Sequence, residues 1–258
     1  FFGGGRWFIA TRGGSLPFKS GRPIAIVLVF GAFAEPAVLS FGAAEGVATI
    51  VGSGMLAFGP GPEAGTYPDC HVKIPPEHET AFAREFEIIE RDAMTVMALD
   101  RRDYRPGIGR HDVRRLGESF PIDQILEVYR SYPGHFFEPG QLTDGIYFGS
   151  FEGDRLVAVA GTHVFSPAGR VAALGNVVTA SRARSRGHAA ACTSAVIDAL
   201  YERGCETIVL HVGATNAPAL ACYRRLGFRE QGPILQMKVC HRPEDRRSHA
   251  QPRAGDCD

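Results

Sequence analysis

The chain has 258 residues, enough for one large domain or two modest ones, and 45% of them are hydrophobic, ample material for a core. Lys and Arg number 28 against 28 Asp and Glu, so the net charge is zero and a binder working by broad phosphate neutralisation is excluded. A local anion site is compatible with that balance. Six cysteines, at positions 70, 192, 205, 222, 240 and 257, include no C-x-x-C pair and read as reduced, mostly buried thiols. Cys240, His241, His249 and Cys257 are ligand types, but their spacing fits no common zinc module, so no metal is expected.

The sequence opens on Phe1 rather than Met, and no basic leader followed by an apolar run and a small-residue cleavage site is visible in it. Residues 23–62 carry only Glu35 and Glu45 as charges, yet these, Pro36 and several glycines cut the stretch into pieces too short to span a bilayer. No membrane association is expected, and a cytoplasmic location is. In chain order, residues 6–11, 24–30 and 37–41 read as short strands and 43–56 as a helix with Val47, Ile50 and Val51 at helical spacing. Residues 70–74 read as a strand, Pro75 and Pro76 introduce a short helix over 81–86, and 93–99 is a further strand.

Residues 101–110, with Pro106, Gly107 and Gly109, form the best linker candidate. A strand over 112–116 follows, then a helix over 123–131 with Ile125, Leu126 and Tyr129 on one face. Residues 146–150 and 156–164 read as a hairpin around Glu152, Gly153 and Asp154, and a second turn at 166–169 leads into a strand over 170–179. From Arg242 onward the polar tail is expected to have no fixed structure.

Two glycine motifs in the first half are weak. Residues 13–20 approximate a phosphate loop, but Phe18 stands where the second glycine is needed, and its side chain blocks close approach of backbone to phosphate. Gly52, Gly54 and Ala57 match G-x-G-x-x-A, which keeps a dinucleotide-dependent enzyme as an alternative, although Gly59, Pro60, Gly61 and Pro62 stop any following helix. The informative segment is 173–189. A β-rich run through Val177, Val178 and Thr179 delivers Arg184, Ser185, Arg186, Gly187, His188 and Ala189 to the start of a helix, where backbone N–H groups and the helix dipole suit an anion. A strand over 207–212 then leads to a helix with Asn216 as N-cap, Pro218 in its first turn and Gly227 as its stop.

These two segments resemble the coenzyme-A core of the GNAT superfamily of N-acetyltransferases. The family's loop pattern, Arg or Gln, two residues, Gly, one residue, Gly or Ala, is met by Arg184, Gly187 and Ala189; its second signature is met by Asn216, Ala219, Tyr223, Leu226, Gly227 and Phe228. The resemblance covers residues 112–239. Ser181, Ala183 and Ser185 depart from the usual proline, large residue and glycine, but none removes a backbone donor. The first half is similar to the degenerate half that precedes the catalytic one in two-part members such as glycine N-acyltransferase-like enzymes.

The resemblance implies an α/β GNAT fold, a mixed central sheet flanked by helices, preceded by a smaller partial GNAT-like domain. The divisions it suggests are 1–105, a catalytic domain at 111–240 and a tail at 241–258. It implies acetyl-coenzyme A as co-substrate and direct attack of a small-molecule amine, possibly an amino acid, on the thioester, in a monomer or homodimer with no nucleic-acid partner. The amides of residues 184–189 would hold the pyrophosphate, the backbone of Val177, Val178 and Thr179 the pantetheine arm, and Asn216 and Ala219 the region near the thioester. Tyr223 would protonate the departing thiolate, since a phenol with an ordinary pKa of about 10 is protonated at neutral pH. The base is open: the strand before the loop carries no carboxylate, and Glu138, His163 and His211 are candidates. Phe136, Phe137 and Tyr147 are placed near the acceptor, with core packing preferred for the last two. A catalytically weak acyl-coenzyme A-binding module is the other alternative.

Overall fold

A computed structural model describes residues 5–11, 23–30, 36–53, 56, 69–107, 111–132 and 137–242. The phosphate-loop near-miss at 13–20, Phe136, His249, Cys257 and the tail beyond Arg242 lie outside them. By contact the chain forms two units, residues 1–94 with 233–258, and residues 95–232. It passes between them within two long strands, β5 (Phe86–Asp100) and β11 (Arg229–His241).

In the first unit, β1 (Gly5–Thr11), β2 (Pro23–Phe30) and β3 (Ala37–Gly42) pair antiparallel in sequence order. β3 then pairs parallel with β4 (Cys70–Ile74), and β4 antiparallel with β11. A parallel pair needs a crossover, and α1 (Ala44–Gly52) lies in it. Helix α1, shorter than expected, buries Val47, Ile50 and Val51; α2 (Glu79–Glu85) buries Ala81 and Phe82. With Val27, Val38, Val72, Met237 and Val239 they form one apolar core. Buried Ser40 and His78 are tied at 2.8 Å between Oγ and Nδ1, and His78 Nε2 lies 3.0 Å from the Gly42 carbonyl. A carbonyl only accepts, so Nε2 carries the proton and Nδ1 accepts from Ser40.

The second unit places strands in the order β5, β10 (Thr207–Gly213), β9 (Val171–Thr179), β8 (Arg155–Ser166), β7 (Tyr147–Glu152), β6 (Asp112–Leu116). From β6 to β9 the pairing is antiparallel, through hairpins for β7–β8 and β8–β9, while β9 and β10 run parallel across α5 (His188–Glu202). Helix α5 buries Val196, Ile197 and Leu200 in a core with Leu174, Leu210 and α6 (Ala217–Leu226). Each such side chain contributes about 1.5–3 kcal/mol. A second core gathers α3 (Ile122–Tyr129) and α4 (Gln141–Asp144) with Tyr147, Val159 and Val178. The buried face of α3 is Ile125, Val128 and Tyr129, not the expected set: Leu126 is 37% exposed, because i, i+3 and i+4 share a face and i+1 does not.

Several sequence expectations shift. β5 begins seven residues earlier than read, and β11 was not anticipated. The segment read as a linker is fastened within the second unit. Arg105 N–H donates to the Leu226 carbonyl at 3.0 Å, Gly107 N–H to Ser194 Oγ at 2.8 Å and Tyr104 Oη to the Ser194 carbonyl at 3.2 Å. Cys70, Cys192, Cys205 and Cys240 are buried thiols outside any disulfide, and burial pushes Cys192 up to about 12. Among the described residues no helix is long and apolar enough to cross a membrane.

Gly161 is fixed by packing. A Cβ there would sit 2.2 Å from the Tyr147 ring, whereas one at Gly117 would meet nothing within 4 Å. Gly161→Ala should therefore lower stability by about 1–3 kcal/mol while Gly117→Ala stays within about 0.5 kcal/mol, read as urea midpoints at unchanged slope.

Candidate functional site

The site grows from a defect in the sheet. β9 and β10 pair only through Val171, Ala172 and Ala173 against Thr207, Ile208 and Val209, although β9 continues to Thr179 and β10 to Gly213. On its other side, β9 keeps Val178 opposite Val159 and Gly175 opposite Gly161, so Asn176 and Val177 together face the single residue Ala160. This is a β-bulge, and Asn176 has the positive φ of 52° that short amide side chains tolerate. The extra residue exchanges faces. Leu174 and Val177 both pack toward the α5–α6 core, whereas Val178 belongs to the α3 core.

Because β9 and β10 are parallel, the loops leaving their C-terminal ends emerge on one side. The first runs through a 3-10 turn (Ser181–Ala183) to Gly187, which caps α5 at φ 90°. Ser185 also has positive φ, 63°, at the departure position where glycine is common. Among the described residues, no backbone acceptor receives the N–H groups of residues 185–190. No acidic side chain of α5 itself occupies its first turn. The second loop ends at Asn216, whose Oδ1 accepts from Ala219 N–H at 3.2 Å, the expected N-cap.

The arginines are not simply aimed at solvent. Arg184 donates from Nη2 to the Ser131 carbonyl at 3.2 Å and from Nε to the Thr179 carbonyl at 3.4 Å, lacing the loop to the turn that follows α3 and to the end of β9. Arg186 pairs with Glu152 at 3.0 Å, and the same carboxylate oxygen lies 3.1 Å from His188 Nε2. Buried His188 also meets Ser150 Oγ at 2.9 Å through Nδ1, and His111 packs on its ring at 4.6 Å. Glu152, Ser150 and His111 were missed in the sequence; the only local sign was a carboxylate at a hairpin tip. Burial alone would raise the Glu152 pKa, but hydrogen bonds from Arg186 and His188 outweigh it and hold it below the usual range. Burial, then the neighbouring His188, lower that of His111.

Tyr223, Ala219 and Val177 border one apolar core, so the structure brings these three expected residues together. The Tyr223 ring sits edge-on to Phe228 at 5.7 Å, and burial raises its pKa well above the ordinary phenol value. Glu138 is exposed at the turn into α4, its N–H donating to Gln141 Oε1 at 3.2 Å. His163 occupies a second irregularity, on β8, and its ring fills the space beside Gly175, where a Cβ would come within 2.0 Å. His211 is half-buried on β10. Phe137 packs face to face with Tyr129 at 4.8 Å and edge-on to Tyr147 at 5.7 Å, a core role as preferred. Gly52 ends α1 and does not lie in the strand-to-helix turn that the dinucleotide alternative requires, while Gly54 and Ala57 lie outside the described residues. Among the described residues no cluster of metal-ligating side chains occurs.

A mixed sheet whose parallel centre parts beside a helix-capping basic loop defines the GNAT fold. Residues 113–228 match the model of the acetyltransferase (GNAT) family. Solved structures agree in fold. A protein from Novosphingobium aromaticivorans assigned to the GNAT family is 22% identical at TM-score 0.57, over 79% of this chain and 84% of that one. A GCN5-related N-acetyltransferase from Kribbella flavida is 14% identical at TM-score 0.57, over 90% and 88%. A tandem GNAT protein from the clavulanic acid biosynthesis pathway is 13% identical at TM-score 0.53, over 87% and 81%. No curated protein gave a significant match.

Two predictions follow from the loop. Relieving the left-handed strain with Ser185→Gly should raise stability by about 1 kcal/mol or less, measured by denaturant unfolding, since glycine's greater unfolded-state entropy offsets part of the gain. His111 binds protons more readily unfolded, where its pKa is ordinary at about 6.5, than folded, so stability should fall as pH drops through 6.5 toward the lowered folded value. A His111→Phe chain should show a flatter thermal midpoint against pH over that window, with His188, Glu152 and Arg186 as the facing groups.

Proposed function

We propose that the unit formed by residues 95–232 is an N-acetyltransferase that moves an acyl group, acetyl in the first instance, from acyl-coenzyme A to the primary amine of a small molecule or amino acid. The carrying observation is the parting of β9 from β10 after Ala173, at the end where the Arg184–Ser185–Arg186–Gly187–His188–Ala189 loop and Asn216 emerge. A gap between parallel strands exposes backbone donors and acceptors that an extended pantetheine arm pairs with as a strand would. The loop amides suit the pyrophosphate.

In this reading Val177, Val178 and Thr179 hold the arm, and the Val177 N–H faces the thioester carbonyl. The amine nitrogen attacks the carbonyl carbon, a C–N bond forms, and the carbonyl electron pair moves to oxygen, where the N–H stabilises it. Collapse breaks the C–S bond. Tyr223 gives its proton to the thiolate, and the amine's extra proton leaves to Glu138 through solvent or directly to water. Asn216 and Ala219 position the arm at the start of α6. Exposure keeps Glu138 close to bulk solvent, which suits proton relay better than abstraction in a dry pocket. The first unit is read as a partial GNAT-like half of a two-part, cytoplasmic protein similar to glycine N-acyltransferase-like enzymes, and the likeness to a tandem GNAT fold supports the two-part reading.

The test is calorimetric titration with coenzyme A, then release of free thiol from acetyl-coenzyme A with a panel of amines. Gly187→Glu places a carboxylate in the cradle at a φ of 90° and a Cβ 3.1 Å from His111 Nε2, and should weaken coenzyme A binding by about 100-fold or more. Tyr223→Phe should keep coenzyme affinity and lower kcat by about 100-fold. Unchanged affinity in Gly187→Glu overturns the cradle. Turnover of protein lysines alone overturns the small-amine acceptor, and binding with no turnover of any amine replaces the enzyme by a binding module.

A further inference from the structure

Behind the β9 bulge lies a polar cluster whose parts come from five elements. Tyr129 Oη, on α3, donates to the Asn176 carbonyl at 2.8 Å. Asn176 Nδ2 lies 2.8 Å from Gln141 Oε1, on α4, and 2.8 Å from Tyr147 Oη, on β7. Tyr147 Oη in turn lies 3.0 Å from Gln141 Oε1 and 3.3 Å from the Thr162 carbonyl on β8. Gln141 Oε1 accepts from Asn176 Nδ2–H and from Glu138 N–H, and the single Tyr147 proton faces two acceptors, Gln141 Oε1 at 3.0 Å and the Thr162 carbonyl at 3.3 Å. The second Nδ2 hydrogen of Asn176 then fills a lone pair of Tyr147. The side-chain donors of Asn176, Tyr129 and Tyr147 thus all have acceptors.

We propose that Tyr129 and Asn176 are positioning residues that aim the Val177 N–H at the thioester carbonyl; the proposal rests on the coenzyme-A reading above. A trans peptide is planar, with its C=O and N–H pointing opposite ways. Tyr129 holds the Asn176 carbonyl toward α3, so the N–H of the same peptide, that of Val177, points away from α3. The Val177 side chain packs on the core that also holds Tyr223. Left unsupported, a positive φ at a residue other than glycine costs about 1–2 kcal/mol and would relax toward a regular strand, turning that peptide. The cluster prevents this, with both phenols buried and their pKa raised by burial, Tyr147 to about 12. A hydrogen bond to the carbonyl also polarises the peptide, making its N–H a stronger donor to a developing oxyanion. The oriented dipole is thus in place before substrate arrives.

The experiment uses the full chain and acetyl-coenzyme A labelled with 13C at the carbonyl. In the wild type the bound carbonyl stretch should lie below its free frequency. Tyr129→Phe should lose about half of that shift or more and, with any accepted amine, lower kcat about tenfold, with affinity for free coenzyme A, which has no thioester carbonyl, within about twofold of wild type. Asn176→Gly keeps the left-handed backbone without the amide, and should lose the shift in the same way if Tyr129→Phe does not fold. Asn176→Asp, which keeps one side-chain oxygen but no donors to Gln141 and Tyr147, should not rescue it. An unchanged carbonyl shift in Tyr129→Phe and Asn176→Gly, or losses of shift and coenzyme A affinity in equal measure, overturns the proposal alone. A wild-type chain that binds no coenzyme A overturns the underlying reading and this proposal with it.

Discussion

Peptide groups in a sheet must find partners, and the second unit is organised around a place where β9 withholds them from β10. After Ala173 the two parallel strands no longer pair, and three residues later β9 takes up its extra residue at Asn176. The bulge does more than bend a strand. It lets Leu174 and Val177 face one core and Val178 the other, so a strand of nine residues serves two apolar layers out of step with simple alternation. Both register shifts between β8 and β9 fall in this stretch, and both neighbouring glycines, Gly161 and Gly175, yield their side-chain space to Tyr147 and His163. The gap is thus held open from behind by packed rings and hydrogen bonds.

Electrostatics follow the same geometry. Zero net charge hides a segment in which Arg182, Arg184 and Arg186 precede a helix N-terminus. Two of those arginines are engaged by protein groups, Arg184 by carbonyl oxygens and Arg186 by Glu152. Their first effect is to shape the loop. The backbone amides and the dipole then carry the positive potential, and Glu152 keeps Arg186 and His188 in a fixed relation beside it. A clamp of this kind lessens what an anion must reorganise on binding, while its carboxylate opposes the anion's charge.

Much of the second unit was legible because its determinants are local. The hairpin tip at Gly153 and Asp154, the Asn216 cap and the Gly227 stop each depend on residues within one turn, and all three occur as read. What escaped depends on distant partners. β5 exposes residues 89–93 in succession, so no alternation betrays a strand there. Leu126 and Val128 have similar hydrophobicity, and only the direction of the core decides which is buried. The Tyr129 hydroxyl meets the Asn176 carbonyl across 47 positions of sequence, and His188 meets Glu152 across 36. The one local trace of the bulge was an Asn within a β-branched run, a residue type that tolerates positive φ and weakens a strand.

The same cluster distinguishes two phenols of the second unit. Tyr147 and Tyr223 are both buried and both hold their protons more tightly than a free phenol. Tyr147, however, faces acceptors on Gln141 and Thr162 and takes a hydrogen bond from Asn176, so donating elsewhere would loosen the support of the bulge. Tyr223 has no hydroxyl partner among the described residues, and its ring is fixed by Phe228. Its proton is therefore available without cost to the fold. A raised pKa makes Tyr223 a weaker acid, so in the proposed reaction the same dry surroundings must raise the basicity of the departing thiolate for the proton to move. Packing, which fixes the ring, and burial, which withholds the proton until then, come from one apolar core shared with Val177. In the proposed reaction the oxyanion donor and the acid are thereby held by the two sides of a single strand's bulge.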